Sequence, residues 1–441
     1  MNQEPTIAVG LVDSAEEITF QLLDEYTDGH GGRFGPGEYH VACRNGALVL
    51  GDGGEGVRGG LTLVSLDAGA RFTVQVTIGI DFHWEQKQRQ TFGGALRLLA
   101  LPGNRLTAIN DVPLESYILS VSCSEMSASS PEEFLKAHSI ISRSWLLAQL
   151  ESKDAASAPP VSESHADGEI IRWYDRQSHR DFDVCADDHC QRYQGMDMVT
   201  TGAVSRAVES TRGQVLTYDG RPCDARFSKC CGGVTEDFRL AWGDIEHPYL
   251  VPLLDGPDET LPSPPLSDEQ AARAFMEASP DVYCNCTDEA ILGKVLNDYD
   301  RTTPDFFRWR VRLTPDEIEE LLQTKLGLRL GRILALQPVE RGLSGRLKRL
   351  RLVGEQKTAV IGKELEIRRA LSPTHLYSSA FVVNTEGPQG RPDAFVLHGA
   401  GWGHGVGLCQ IGAAVMACRG MTCEAILRHY YPGSVLEHMY A

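Results

Sequence analysis

Between residues 398 and 413 the chain reads His-Gly-Ala-Gly-Trp-Gly-His-Gly-Val-Gly-Leu-Cys-Gln-Ile-Gly-Ala, with glycines at 399, 401, 403, 405 and 407 alternating with larger residues. Glycine loses more backbone entropy on folding than any other residue. A run this dense therefore implies backbone that comes close to something else or takes φ > 0. Two readings fit: a tight barrel corner or glycine-rich turn, and a loop shaped around a ligand. A nucleotide loop is excluded, because no Lys-Ser/Thr follows as in a phosphate-binding loop and no Gly-x-Gly-x-x-Gly links a strand to a helix. Glycine spacing alone favours the turn, and the functional reading needs a second motif.

The 441 residues give room for about two or three domains and a sizeable core. With 42 Lys+Arg against 60 Asp+Glu the net charge is −18, which argues against a phosphate-backbone partner and so against nucleic acid. No apolar run reaches the length of a membrane span. The first residues, Met-Asn-Gln-Glu-Pro-Thr-Ile-Ala-Val-Gly, lack a basic segment followed by an apolar one, so no signal peptide is visible. Twelve cysteines are many for a cytosolic enzyme, and several cluster: 185/190, 230/231, 284/286 and 409/418/423. Neighbours such as Cys230 and Cys231 rarely bridge each other, and histidines near the clusters point partly to metal.

Hydrophobic periodicity predicts an α+β chain. Residues 1–110 read as β-rich, with alternation at 6–12, 71–78 and 95–101 between glycine-rich turns. Residues 113–150 read as helical, with Pro113 at a first helical position and Ser130-Pro131-Glu132-Glu133 as a capping box that starts a second helix. Glu125 then falls at the junction of the two helices, and Lys136, Ser139 and Arg143 share one face of the second. The Ser/Ala/Pro/Asp-rich stretch 152–168 and residues 256–265 read as exposed loop and linker. Further on, a helix is expected at about 314–326, strands at 333–337, 347–352 and 381–384, and a helix over 413–420. The resulting division is 1–110, β-rich; 111–255, helical with a metal loop; 256–305, linker or insertion; and 306–441, β-rich with the glycine loop closing a cleft.

The second motif lies at 112–126, Val-Pro-Leu-Glu-Ser-Tyr-Ile-Leu-Ser-Val-Ser-Cys-Ser-Glu-Met, followed at 136–145 by Lys-Ala-His-Ser-Ile-Ile-Ser-Arg-Ser-Trp. Together with the 398–413 loop and His-Tyr-Tyr-Pro-Gly at 429–433, these segments resemble the SpoIID family, which comprises stage II sporulation protein D and the LytB-type amidase enhancers. Family members show Pro-Leu-Glu-x-Tyr-Leu, Glu-Met-Pro, a Lys-Ala-Gln-Ala-x-Ala-x-Arg-Thr-Tyr helix and Gly-x-Gly-His-Gly-Val-Gly-x-x-Gln-x-Gly-Ala. The match spans roughly residues 90–435, with 151–180 and much of 255–305 as insertions. Departures are Ser127 for Pro, His138 for Gln, Ser144-Trp145 for Thr-Tyr, and Lys229-Cys230-Cys231 where the family has small hydroxyl residues.

The resemblance implies a peptidoglycan lytic transglycosylase. Glu125 matches the family's catalytic Glu, which would protonate the leaving oxygen at a MurNAc–GlcNAc bond and then act as base on the sugar's own 6-hydroxyl, giving a 1,6-anhydro product. Without the family, a lone Glu reads as a solvated surface residue. Lys136 and Arg143 match family positions that orient the acid or stabilise charge, and compete with a reading as surface salt bridges. Glu236 is the most plausible second carboxylate, against a structural role. His179, Cys185 and Cys190 match a family zinc pattern, with His189 a spare ligand, and zinc there would order the loop ending at Gln191 and Tyr193. A Cys185–Cys190 disulfide is the alternative. His404, Gln410 and Trp402, with Gln191 and Tyr193, are the expected sugar contacts, against packing of a cleft wall between the Glu125 helices and the 398–413 loop.

The implied partners are glycan strands stripped of stem peptides and a cell-wall amidase, at the cell envelope. The rival is a non-catalytic, glycan-binding amidase enhancer. A zinc hydrolase using the 179–190 metal and a Cys nucleophile with His404 as base are further alternatives.

Overall fold

The structure, a computed structural model, describes the chain apart from residues 1–2, 52–55, 81–84, 156–162, 167, 174–178, 188, 200–201, 259, 298–304 and 441. Much of the polar stretch 152–168 thus lies outside the described residues. The architecture is mixed α+β. Residues 1–146, 178–215 and 437–441 form one compact unit, and residues 147–177 and 216–436 a second. Each is assembled from separated stretches, whereas the four parts read from the sequence are continuous.

In the first unit the period-two stretches are strands. The strand β1 (Thr6–Ala15) lies antiparallel to Arg105–Pro113, which forms a hairpin with Ala95–Leu101. On its other side β1 pairs in parallel with the short strand Val184–Cys185. A second sheet runs in the order 86–93, 71–78, 17–22, 37–44, 47–50, 57–58. Alternation works as expected: in Glu17–Leu22 the residues Ile18, Phe20 and Leu22 are buried and the residues between them are not.

Strand 105–113 leads directly into the helix α1 (Leu114–Glu125), and Met126 then turns extended and ends it. Ten of its residues are buried, from Leu114 to Glu125, so α1 is a core helix and not an amphipathic surface one. The second helix, α2 (Glu132–Ala155), packs beside it, with the Ser122 and Ser139 hydroxyls 3.1 Å apart. The expected capping box does not form: α2 begins at Glu132, and the buried Ser130 hydroxyl makes no hydrogen bond. Instead the Pro131 carbonyl accepts from Leu135 N.

Arg143 fastens the two helices. It is wholly buried, and its guanidinium donates to both oxygens of Glu115 on α1, at 3.1 and 2.7 Å, and to the Gln214 carbonyl at 2.9 Å. Glu115 also accepts from Gly213 N and Tyr440 Oη.

The second unit holds a five-stranded sheet in the order 163–166, 169–172, 358–362, 347–354, 333–341, and a three-stranded one in the order 308–313, 394–400, 381–386. Its core gathers Ile318, Leu322, Ile333, Leu350, Ile361 and Phe395 among others. The expected helix at 314–326 is Pro315–Leu326, closed at one end by a Thr314/Glu317 capping box and at the other by Gly327 at φ 67°. The stretch 256–305, read as linker or insertion, holds helices Glu269–Glu277 and Glu289–Val295, capped by Asp268 and Asp288. One helix boundary shifts. The helix expected over 413–420 is Gln410–Cys418, which places Gln410 in its first turn.

The Glu115–Arg143 pair yields two expectations. Removing one partner of a buried pair strands the other, so Arg143→Met should cost about 3–5 kcal/mol in denaturant titrations at pH 7. Burial works against the Glu115 carboxylate, but Arg143, Tyr440 and the Gly213 amide outweigh it and hold its pKa below the ordinary 4.5. Stability from a depressed carboxylate is present in full above the unfolded-state value and is lost as pH falls through the folded-state one. The gap between wild type and Arg143→Met should therefore be widest above pH 4.5 and narrow below it, as denaturation midpoints across that range will report.

Candidate functional site

Glu125 closes α1. It is 8 % exposed, and its Oε1 accepts a 3.0 Å hydrogen bond from the Arg192 backbone N. The residue before it is held by the same segment: Gln194 N donates to Ser124 Oγ at 3.2 Å. One loop, residues 179–197, thus sets the Glu125 carboxyl group from the backbone side.

That loop is laced to the sheet by Asp183 N to the Ala8 carbonyl, Ala186 N to the Gly10 carbonyl and Met196 N to the Thr91 carbonyl. Gly10 is required there, because a Cβ would meet the Phe182 ring at 2.6 Å. The loop also gathers His179, Cys185, His189 and Cys190, whose ligand atoms all lie within 4.8 Å of one another. Cys190 Sγ stands 3.4 Å from His179 Nε2 and 3.5 Å from His189 Nδ1, and Cys185 Sγ 3.9 Å from His189 Nδ1. Contact with Cys190 and the two imidazoles pushes the Cys185 thiol far down against burial, which favours the thiolate. The two sulfurs are not joined in a disulfide, so that alternative is not the arrangement present. The structure brings together the three expected ligands and adds His189 as the fourth. Two thiolates and two imidazoles are a donor set for a tetrahedral metal ion.

Other expected site residues are placed differently. Arg143 is committed to Glu115 and Gln214 as described, and Lys136 donates to Glu133 at 2.7 Å and pairs with Glu132 at 3.4 Å. Gln191 accepts from Tyr117 Oη at 3.1 Å and donates to the Ser142 carbonyl at 3.3 Å. Tyr193 Oη donates to Asn110 at 2.6 Å, with its ring stacked between Phe92 and Tyr117. Both are buried with their polar atoms bonded internally, so they brace the wall behind Glu125 and do not face solvent. The Glu115–Arg143 pair was missed in the sequence, although each partner stands in one of the two quoted motifs.

In the second unit the glycine run takes both courses its composition allows. Gly405 has φ +75°, and a Cβ would strike the Arg346 guanidinium at 2.4 Å; at Gly407, φ +70°, it would strike the Arg226 carbonyl at 2.0 Å. Arg346 is wholly buried and donates to the carbonyls of Gly403 and Cys231 and to Ser344 Oγ. Glu236 is buried beside it, accepting from Asp237 N at 2.8 Å and from Ser344 N and Oγ at 3.0 and 2.7 Å, while its own amide donates to the Gly405 carbonyl. Burial raises its pKa against those hydrogen bonds. Its role is to hold the loop, and the expectation of a second reacting carboxylate is set aside because both oxygens are engaged.

His404 Nδ1 accepts from Val406 N at 3.0 Å, and its ring meets Trp242 edge-on. Burial first, then the Arg226, Arg346 and Arg368 charges, push its pKa well down, so the ring is neutral at pH 7. With Nδ1 engaged and Cys230 and Cys231 buried, the arrangement offers no Cys–His nucleophile. Trp402 is half-buried, stacked on Phe306 and edge-on to Tyr377. Gln410 is buried at the start of its helix.

Among the described residues, no helix is long and apolar enough to cross a membrane. Residues 102–218 match the family model described as stage II sporulation protein, and residues 236–407 match a domain of unknown function. Stage II sporulation protein D of Bacillus subtilis (strain 168) is 26% identical over 332 residues, covering 75% of this chain and 76% of that one. Its counterpart in Bacillus amyloliquefaciens is 25% identical over 74% of each chain. The amidase enhancer of Bacillus subtilis (strain 168) is 26% identical over 53% of this chain and 32% of its own. The chain thus carries a SpoIID-family domain at residues 102–218 and is similar to stage II sporulation protein D over three quarters of its length.

Proposed function

We propose that this protein is a peptidoglycan lytic transglycosylase that cuts MurNAc–GlcNAc bonds in glycan strands stripped of stem peptides, at the cell envelope and alongside a cell-wall amidase. The observation that carries this reading is Glu125. It matches the family's catalytic Glu, ends a buried helix, and is held by a backbone N–H from a braced loop.

Glu125 gives its proton to the bridging oxygen as the C1–O bond breaks. The 6-hydroxyl of the same MurNAc then attacks C1, and its proton passes to the Glu125 carboxylate. The acid is restored, no water is consumed and the product is 1,6-anhydro. One carboxyl group suffices, in contrast to the two of ordinary glycosidases, and this agrees with Glu236 being fully engaged elsewhere. Of the loop residues in the second unit, half-buried Trp402 is the one suited to stacking on a sugar ring.

The His179, Cys185, His189 and Cys190 set suits zinc, which would supply structural closure to the loop. Four protein donors leave no open coordination position for hydrolytic chemistry. The rest is done by the loop's own backbone, which holds Glu125.

Two experiments test this reading. Purified protein and its Glu125→Gln variant are incubated with glycan strands with and without stem peptides, and the ends are analysed by mass spectrometry. Anhydro-MurNAc ends from wild type, falling by at least about 100-fold in the variant, are expected. Reducing ends would mean a hydrolase, and glycan binding without cleavage would leave the amidase-enhancer reading. Separately, Cys190→Ser should lose the zinc of this loop, lowering the zinc content by one equivalent, and slow cleavage while Glu125 is intact, with faster amide exchange over 179–197. Unchanged zinc content would remove the structural-zinc assignment.

A further inference from the structure

Four buried side chains far apart in sequence converge in the second unit: Cys231, Asp255, Cys284 and Cys409, with one ligand atom of each within 4.8 Å of all the others. We propose that they hold a metal ion, zinc, in a second and closed structural site, independent of the 179–190 loop and of the reading of Glu125.

The distances suit a single ion. Cys231 Sγ lies 3.5 Å from Cys284 Sγ and 3.3 Å from Asp255 Oδ2. A tetrahedral zinc with bonds of about 2.3 Å to sulfur and about 2.0 Å to oxygen sets sulfurs about 3.8 Å apart, and sulfur and oxygen about 3.5 Å apart. A disulfide would need about 2.05 Å. Three thiols and a carboxyl group gathered this closely inside the fold repel one another once ionised, and a cation at their centre answers all four.

The surroundings are built for a negative donor set. Cys231 N donates to Cys409 Sγ at 3.2 Å, Gly233 N to Cys231 Sγ at 3.4 Å, and Cys284 N to Asp255 Oδ2 at 3.2 Å. The other Asp255 oxygen accepts from Tyr430 Oη at 2.6 Å, with His429 Nε2 at 3.6 Å. These outer contacts orient the carboxylate as such shells do at metal centres. Cys409 sits at the N-cap of helix Gln410–Cys418, where the helix dipole favours a thiolate. A cavity of about 220 Å³ lies beside the cluster, with Cys284, Cys286, Phe306 and Ile411 in its lining. Cys230 is buried next door but stands outside the set of four.

The test is metal analysis of the full chain, freed of any histidine tag, with the zinc-to-protein ratio read by mass spectrometry. His179→Ala/Cys190→Ser empties the first cluster and leaves the second intact, so it should retain one equivalent. Cobalt taken up by that variant should give tetrahedral bands with thiolate charge transfer. Cys230→Ser should keep the second ion, whereas Cys231→Ser/Cys284→Ser should lose it and leave the first cluster filled. No zinc or cobalt in the folded His179→Ala/Cys190→Ser protein overturns the proposal. So does a Cys231–Cys284 disulfide in a non-reducing peptide map of wild type. Loss of the ion in Cys230→Ser overturns the donor set. One equivalent in wild type, retained by His179→Ala/Cys190→Ser, supports this site and removes only the zinc reading of the first cluster.

Discussion

A guanidinium taken out of water must find an acceptor for its donors inside the fold, and two such groups organise this molecule. Arg143 is matched by the Glu115 carboxylate and the Gln214 carbonyl, and Arg346 by the carbonyls of Gly403 and Cys231 with the Ser344 hydroxyl. Leaving any of these donors unmet costs more than the bond itself contributes. The backbone that carries the acceptors must therefore pass at fixed places. In the first unit this fixes α1 against α2, and so the height at which Glu125 leaves its helix. In the second it draws the glycine run onto Arg346 so closely that no Cβ fits at Gly405.

The same constraint explains what the family signature encodes. Most of its polar residues are not displayed. Glu115 and Arg143 satisfy each other; Gln191 and Tyr193 bond Tyr117, Ser142 and Asn110; Glu236 holds Ser344 and the glycine loop. A motif this rich in charge suggests a crowded reaction centre, yet its charges mainly hold the frame in which one carboxyl group is presented. The reaction proposed above would recycle a single proton between two sugar oxygens. Such chemistry needs one well-placed acid and base more than a set of them.

Local signals were legible where one stretch carried its own instructions. The Thr314 box and Gly327 bracket a helix as written, and alternation marked strands 71–78 and 95–101. The glycine run announced positive φ or close approach, and has both. What it could not announce was the partner, since Arg346 and Arg226 lie far off in the chain. The Ser130 box does not form, since the helix starts at Glu132 and the buried hydroxyl has no partner, and the burial of Gln191 and Tyr193 was not legible because nothing local says which way a loop side chain turns. The first cluster was legible because its four ligands lie within one short loop. His189 needed the fold to be counted in.

The second cysteine cluster was invisible for the opposite reason, and its placement suggests what it is for. Much of 255–305 was read as an insertion relative to the family, and its described residues contribute two short helices, the buried run Val282–Cys284 and a few further buried side chains such as Leu266, Val295 and Leu296. The first helix joins a minor core of Ala272, Met276, Ala380, Val382 and Ala400. So little apolar surface anchors a segment weakly, and small units of this kind are commonly secured by a metal or a disulfide. Cys284 comes from this segment, Cys231 replaces one of the small hydroxyl residues usual in the family, and Cys409 begins the helix that follows the glycine run. An ion shared by the three would fasten the added segment to the loop that Arg346 and Glu236 already hold. On this view the departure at 231 is the counterpart of the insertion, and the one would not be expected without the other.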